Sequence, residues 1–243
     1  MSKPTIQVVA DANAIAAAAA EKIIELADVA ISQRGGFSIA LSGGSTPKTL
    51  FQLLATDSYI KRIDWKNWQI YFGDERCVPP THADSNFRMA SEALLDHVPI
   101  QPDHIHRMKG EIEPQQVAIE YGQVLKQNFG DGGLDVILLG MGDDGHTASL
   151  FPHTAALNEM NHRCVANYVE KLGVWRITMT APFINRSRQV IIMVSGAAKA
   201  QRIEQVLLGP IDPQSLPIQM IAPFDGGLLW IMDVAAAAMD ENA

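Results

Sequence analysis

The chain is expected to fold as an α/β protein, a single Rossmann-like domain with a mostly parallel sheet flanked by helices. Short apolar runs of strand length alternate with longer segments of helical period along all 243 residues, which is the pattern of repeated strand–helix units. Several of those runs stop abruptly in glycine or serine, where a strand would hand over to a helix. No linker, charge block or repeat divides the chain, so residues 1–243 are expected to form one domain with an ordered core from about 5 to 232.

The elements follow in order. Thr5 to Val9 reads as a first strand and Ala12 to Gln33 as a long helix. In that helix Ile15, Ala19, Ile23, Leu26 and Ala30 recur at helical spacing, Asp11 or Asn13 offers a cap, and Gly35-Gly36 supplies the stop. Phe37 to Leu41 is a buried strand leading to a helix from Pro47 to Ala55, with Pro47 suited to the first helical position. Trp68 to Phe72 is the next strand, Asp84-Ser85-Asn86 opens a helix to about Asp96, and Ile105 to Met108 reads as a short strand. A helix from Pro114 to Phe129 and a glycine-rich turn lead to the strand Leu134 to Leu139. Arg163 to Val169 and Trp175 to Thr180 read as extended, and Pro182 to Asn185 as a helical turn. Gln189 to Val194 is a strand and Ala197 to Leu208 a helix. Pro217 to Ile221 and Leu228 to Met232 read as final strands, and the end from Ala235 to Ala243 is expected to fray.

Composition removes several classes of function. A chain of this length buries roughly 70–75% of its unfolded surface and needs no staple. Its two cysteines, Cys77 and Cys164, are too few for a disulfide framework and lack the paired spacing of a zinc site. With no signal-peptide pattern at the N-terminus, a cytoplasmic location is expected. The alanine-rich run from Ala14 to Ala30 carries Glu21, Lys22, Glu25 and Asp28, so it is no membrane span. A net charge of −8 argues against a nucleic-acid partner. It leaves room for a small anionic substrate held by a local cluster of Arg and Lys, and the chain is expected to act as a monomer or weak oligomer.

Chemistry concentrates at four strand ends: Ser42–Pro47, Gly73–Pro79, Gly140–Pro152 and Ser195–Lys199. Ligands of open α/β sheets bind at the carboxyl ends of strands, so four such loops together favour a site. Ser42-Gly43-Gly44-Ser45-Thr46 runs into a helix, where backbone N–H groups, hydroxyls and the helix dipole suit an anion; a tight turn with a hydroxyl cap is the bland alternative. The stretch contains neither Gly-x-x-x-x-Gly-Lys-Ser/Thr nor Gly-x-Gly-x-x-Gly. Arg76 can grip a phosphate or a carboxylate bidentately, or pair with its acidic neighbours Asp74 and Glu75. Lys199 falls in the first turn of a helix, where the dipole disfavours a cation unless an anion shares the site. Arg176 is a further cation or a solvated strand-edge residue.

Asp144-Gly145-His146 is either a left-handed turn with two solvated polar side chains or a base with its orienting carboxylate. His82, His97, His104, His106, His153 and His162 read as solvated or structural, and His104/His106 lack further ligands for a metal. Cys77 reads as a passive thiol unless Arg76 lowers its pKa. Trp65, Trp68, Trp175 and Trp230 read as packing. Neither Ser42 nor Ser195 sits in a Gly-x-Ser-x-Gly elbow, which leaves water as the expected nucleophile.

Together Leu41–Pro47, Gly73–Pro79, Leu139–Pro152 and Val194–Ala200 resemble the 6-phosphogluconolactonases, in that family's order and over residues from about 5 to 232. The related glucosamine-6-phosphate deaminases carry a catalytic Glu five residues after the same His, where this chain has Phe151. They also typically carry an aromatic residue where this chain has Arg76. The resemblance implies hydrolysis of 6-phospho-D-glucono-1,5-lactone to 6-phospho-D-gluconate, in the oxidative pentose phosphate pathway, without metal or cofactor. It implies His146 as the base held by Asp144. Substrate and phosphate binding falls to Ser42, Gly43, Gly44, Ser45, Thr46, Asp74, Arg76, Arg176 and Lys199.

Overall fold

The computed structural model of the chain describes residues 4–238. In chain order the regular elements are β1 (Thr5–Val9), α1 (Ala12–Arg34), β2 (Phe37–Leu41), α2 (Ser45–Leu54), α3 (Asp57–Ile60), β3 (Trp68–Phe72), β4 (Asp74–Arg76), α4 (Asn86–Ala93), α5 (Pro114–Phe129), β5 (Val136–Leu139), β6 (Cys164–Val169), β7 (Val174–Met179), α6 (Ala181–Ile184), β8 (Gln189–Val194), α7 (Ala200–Leu207) and β9 (Gly227–Asp233). Six strands form one sheet in the order β1-β9-β8-β5-β2-β3, and every pairing in it is parallel. The expected α/β class with a mostly parallel, helix-flanked sheet is thus the observed one.

Away from the exposed edge strand β1, both faces of this sheet are buried, so its inner strands read as continuous apolar runs rather than alternating ones. Side chains still alternate between two cores. Val136 and Leu138 of β5 point into the core with α1 and α2, while Ile137 and Leu139 point into the core with α5. β8 divides in the same way, Ile191 and Met193 against Val190, Ile192 and Val194. Asp11 caps α1 by accepting from Ala14 N at 2.9 Å, and Gly35, at φ 78°, closes it in the left-handed conformation that glycine adopts without strain.

Five expectations are corrected. A second, antiparallel sheet, β4-β7-β6, lies beside the first; its three-residue strand β4 is too short to show a period. Helix α2 starts at Ser45, so Pro47 occupies its third position, where its missing N–H is still not needed. Pro217–Met220 is a 3₁₀ turn rather than a strand. Its buried Ile218 N–H goes to Gly145 O, at 3.0 Å, instead of to a neighbouring strand. Ile105 makes a single parallel bridge to Ile70 and no strand follows. Lys199 ends a 3₁₀ turn, Ala197–Lys199, and occupies the N-cap position of α7. The expected fraying end falls mostly at residues 239–243, outside the described residues, whereas Ala236 N and Ala237 N are held by Asp233.

Candidate active site

The strands whose ends carry the four loops, β8, β5, β2 and β3, are consecutive in the sheet. Strand spacing near 4.8 Å puts the loops within on the order of 15 Å of one another. From β2 the chain goes on to β3 on one side, while β5 and β8 lie on the other, so the loops meet where the winding reverses. They enclose a cavity of about 280 Å³, lined by Ser42, Gly43, Gly44, Ser45, Thr46, Asp74, Arg76, His146 and Lys199. A second cavity of about 330 Å³ shares Asp74, Arg76 and His146 with the first and adds Asp144, Phe151, Lys171 and Arg176. All eleven residues singled out in the sequence therefore border one of two cavities that meet at His146. A larger cleft, about 1080 Å³, opens at the opposite edge of the sheet, where the strands begin. There Arg34 and Arg188 are already paired with Asp135.

His146 Nδ1 lies 2.5 Å from Asp144 Oδ1, and the other carboxylate oxygen meets Lys171 Nζ at 3.3 Å. The hydrogen bond from His146 holds the Asp144 carboxyl well below the usual carboxylate range. An ionised Asp144 accepts only, so Nδ1 carries the proton and the lone pair is left on Nε2. Two backbone bonds, Gly142 N to His146 O (2.9 Å) and Gly145 N to Gly142 O (3.1 Å), close the turn. Gly145 is left-handed at φ 80°. A Cβ at Gly142 would lie 2.1 Å from the imidazole, so only glycine fits beside the ring. Phe151 stacks on the imidazole, with centroids 4.0 Å apart and planes at 21°.

β4 places its residues by simple alternation. Asp74 and Arg76 face the cavities, while Glu75 turns to α4 and accepts from Asn86 N, Phe87 N and Ser85 Oγ. Burial pushes the Glu75 carboxyl up despite those bonds. Asp74 accepts from Ser149 Oγ at 2.6 Å and Asn86 Nδ2 at 3.2 Å. Arg76 stands directly opposite Arg176 on β7. Like charges so placed repel, and burial, with Arg76 second, pushes the Arg176 pKa down. Their hydrogen-bond partners are backbone carbonyls, Asp84 O at 2.6 Å for Arg76 and Trp175 O at 3.3 Å for Arg176. Two guanidiniums without a carboxylate partner among the described residues make a place for an anion.

At the end of β2, Gly44 has φ 108° and α2 has no side-chain cap, so its first N–H groups are left to the cavity side. Lys199 donates to Met141 O at 2.9 Å and is ion-paired with Asp143. It therefore ties the loop after β5 to the start of α7, and Arg202 Nε adds a bond to Asp143 O at 2.8 Å.

Four contributors escape a reading of the sequence. Asn86 buttresses Asp74 and packs so closely on Gly43 that a Cβ there would lie 2.0 Å from it. Ser149 donates to Asp74, Lys171 pairs with Asp144, and Asp233 holds both Ser195 Oγ (2.5 Å) and Gly196 N (3.0 Å). Ser149 lies within the stretch after His146 and was open to notice; the other three act across long sequence separations that no local pattern signals. Among the described residues no group of three or more His, Cys, Asp or Glu is arranged to hold a metal ion. No helix among them is long and apolar enough to cross a membrane.

A family model described as glucosamine-6-phosphate isomerases/6-phosphogluconolactonase matches residues 10–230. A 6-phosphogluconolactonase of Nostoc sp. is 42% identical over 97% of this chain and 98% of its own length. One from Haemophilus influenzae is 38% identical over 83% of this chain and 86% of its own. The solved 6-phosphogluconolactonase of Trypanosoma cruzi superposes with a TM-score of 0.86 at 29% identity, covering 100% of this chain and 99% of that one. The chain therefore belongs to the glucosamine-6-phosphate isomerase/6-phosphogluconolactonase family and, within it, to the 6-phosphogluconolactonases.

Proposed function

We propose that this chain hydrolyses 6-phospho-D-glucono-1,5-lactone with His146 as general base, a step of the oxidative pentose phosphate pathway. The observation that carries the proposal is the 2.5 Å contact between His146 Nδ1 and Asp144, which leaves the basic Nε2 at the junction of two cavities edged by Arg76, Arg176, Lys199 and the Ser42–Thr46 loop. Nε2 takes a proton from water as the water oxygen bonds to the lactone carbonyl carbon. The resulting oxyanion collapses, the bond from that carbon to the ring oxygen breaks, and the proton passes from the imidazolium to the departing hydroxyl. Asp144 stabilises the imidazolium between those two transfers. A lactone is already an activated ester, so one well-placed base, worth about 10²–10⁴-fold, meets the need.

Ser42, Gly43, Gly44, Ser45 and Thr46, with Arg76, Arg176 and Lys199, bind the phosphate, and Asp74 accepts from a sugar hydroxyl. Opposed Arg76 and Arg176 gain most from an anion because it removes their mutual repulsion. The deaminase reaction is disfavoured by Phe151, whose ring lies on the imidazole where the deaminases carry a carboxylate.

Turnover is measured by coupling product formation to 6-phosphogluconate dehydrogenase, with spontaneous lactone opening subtracted. A rate no faster than spontaneous opening overturns the assignment. His146→Ala is expected to lose about 10²–10⁴-fold in kcat with little change in KM; an unchanged kcat removes His146 as the base. Lys199→Ala and Arg76→Ala are expected to weaken binding of the phosphorylated lactone more than that of its unphosphorylated form. An equal loss on both refutes their role at the phosphate.

A further inference from the structure

We propose that Phe151 is a positioning residue for the reaction, holding the plane of the His146 imidazole and so the direction of Nε2. The proposal rests on His146 being the base.

A single hydrogen bond does not fix an imidazole. Asp144 pins Nδ1 at 2.5 Å, but the ring can still tilt about that contact and carry Nε2 away from the water it must deprotonate. The ring also packs against Gly142, which has no side chain and so offers it no stacking face. Phe151 supplies the missing constraint, because its ring lies nearly parallel to the imidazole at 4.0 Å. It also keeps solvent off the stacked face, which restricts the approach of water to the open cavity side.

The backbone is built to bring these two rings together. Thr147 and Leu150 form an antiparallel bridge, closed by Leu150 N to Thr147 O at 2.9 Å. Inside this reversal Ala148 adopts φ 49°, a left-handed conformation that costs an alanine energy. Such strain persists where the surroundings enforce it, and it gathers at functional sites. Here the reversal folds residue 151 back over residue 146. Phe151 is then anchored from behind: Thr154 Oγ1 donates to its carbonyl at 2.7 Å, and its ring is almost wholly buried.

The test uses the full chain and 6-phospho-D-glucono-1,5-lactone as the probe. Phe151→Leu keeps apolar bulk without a stacking face, and Phe151→Tyr keeps the face. The Leu variant is expected to lose about ten- to a hundredfold in kcat, the scale of a misplaced catalytic group, with KM within about twofold of the parent's. Phe151→Tyr is expected to restore kcat. NMR of the imidazole C–H groups supplies a readout independent of turnover: the upfield shift imposed by a stacked ring disappears in the Leu variant and persists in the Tyr variant. Parental kcat in Phe151→Leu overturns the proposal, as does an equal loss in both variants. Should Phe151→Leu lower the melting temperature enough to blur kcat, the comparison is made with Phe151→Met under the same criteria. His146→Ala is run alongside: if it keeps its kcat, the base assignment has failed, whereas loss there with none in Phe151→Leu rejects Phe151 alone.

Discussion

A carboxylate that accepts an imidazole N–H at 2.5 Å keeps its charge in more acidic solution than a free one, and this ties fold stability to the contact that orients His146. The folded-state pKa of Asp144 is depressed, while that of an unfolded chain is about 3.9. As pH falls below that value the unfolded chain takes up the proton first, so the stabilisation is whole above about pH 4 and drains away below it. Asp144→Asn is therefore expected to be less stable than the parent near neutrality, with a gap that narrows in acid. Urea midpoints on either side of about pH 4 check this; a gap of constant size would disconnect Asp144's charge from stability. At this scale the sequence displays side chains whose partners are near in the chain. Asp144 and His146, two positions apart, are legible as a pair. The Phe151 stack needs the left-handed Ala148, which alanine does not announce, and Lys171 reaches Asp144 from the turn between β6 and β7.

Elements turn that local chemistry into geometry. The opposed arginines of β4 and β7 are a cost to that antiparallel pairing, offset under the proposed function by the anion between them. Arg176→Gln is expected to leave the unfolding free energy unchanged or raised by up to about 1 kcal/mol of relieved repulsion, read from urea unfolding. It is also expected to raise KM for the lactone about ten- to a hundredfold, the worth of one charged hydrogen bond. A stability loss with unchanged KM would make Arg176 structural. On β4, Glu75→Ala is expected to destabilise the protein by ~3 kcal/mol or more in chemical denaturation, because it orphans the buried N–H of Asn86 and the part-buried N–H of Phe87. The strand ends of the large sheet are legible because apolar runs stop in glycine there. β4 is not, since three residues carry no period. Pro217–Ile221 misleads because a short apolar run looks alike whether it is a strand or a buried turn, and only its packing over Gly145 decides.

For the molecule as a whole, stability rests on β5, in the interior of the sheet with a core on each side. Leu138 is fully buried, and Leu138→Ala is expected to cost ~2–5 kcal/mol, read from urea unfolding. A smaller loss would mean that the core collapses around the gap. The α/β class is legible because burial of both sheet faces leaves unbroken apolar strands; strand order is not, since neighbours such as β5 and β2 are joined only by folding. That order has a kinetic consequence. The cavity at His146 gathers residues from 42 to 199, brought together by parallel pairings between strands distant in the chain, and such pairings form slowly. No fragment short of the four adjacent strands holds both the proposed base and all of the proposed phosphate donors. During refolding, lactone turnover is expected to return only when β8, β5, β2 and β3 have all paired, and so to lag signals from elements that form locally.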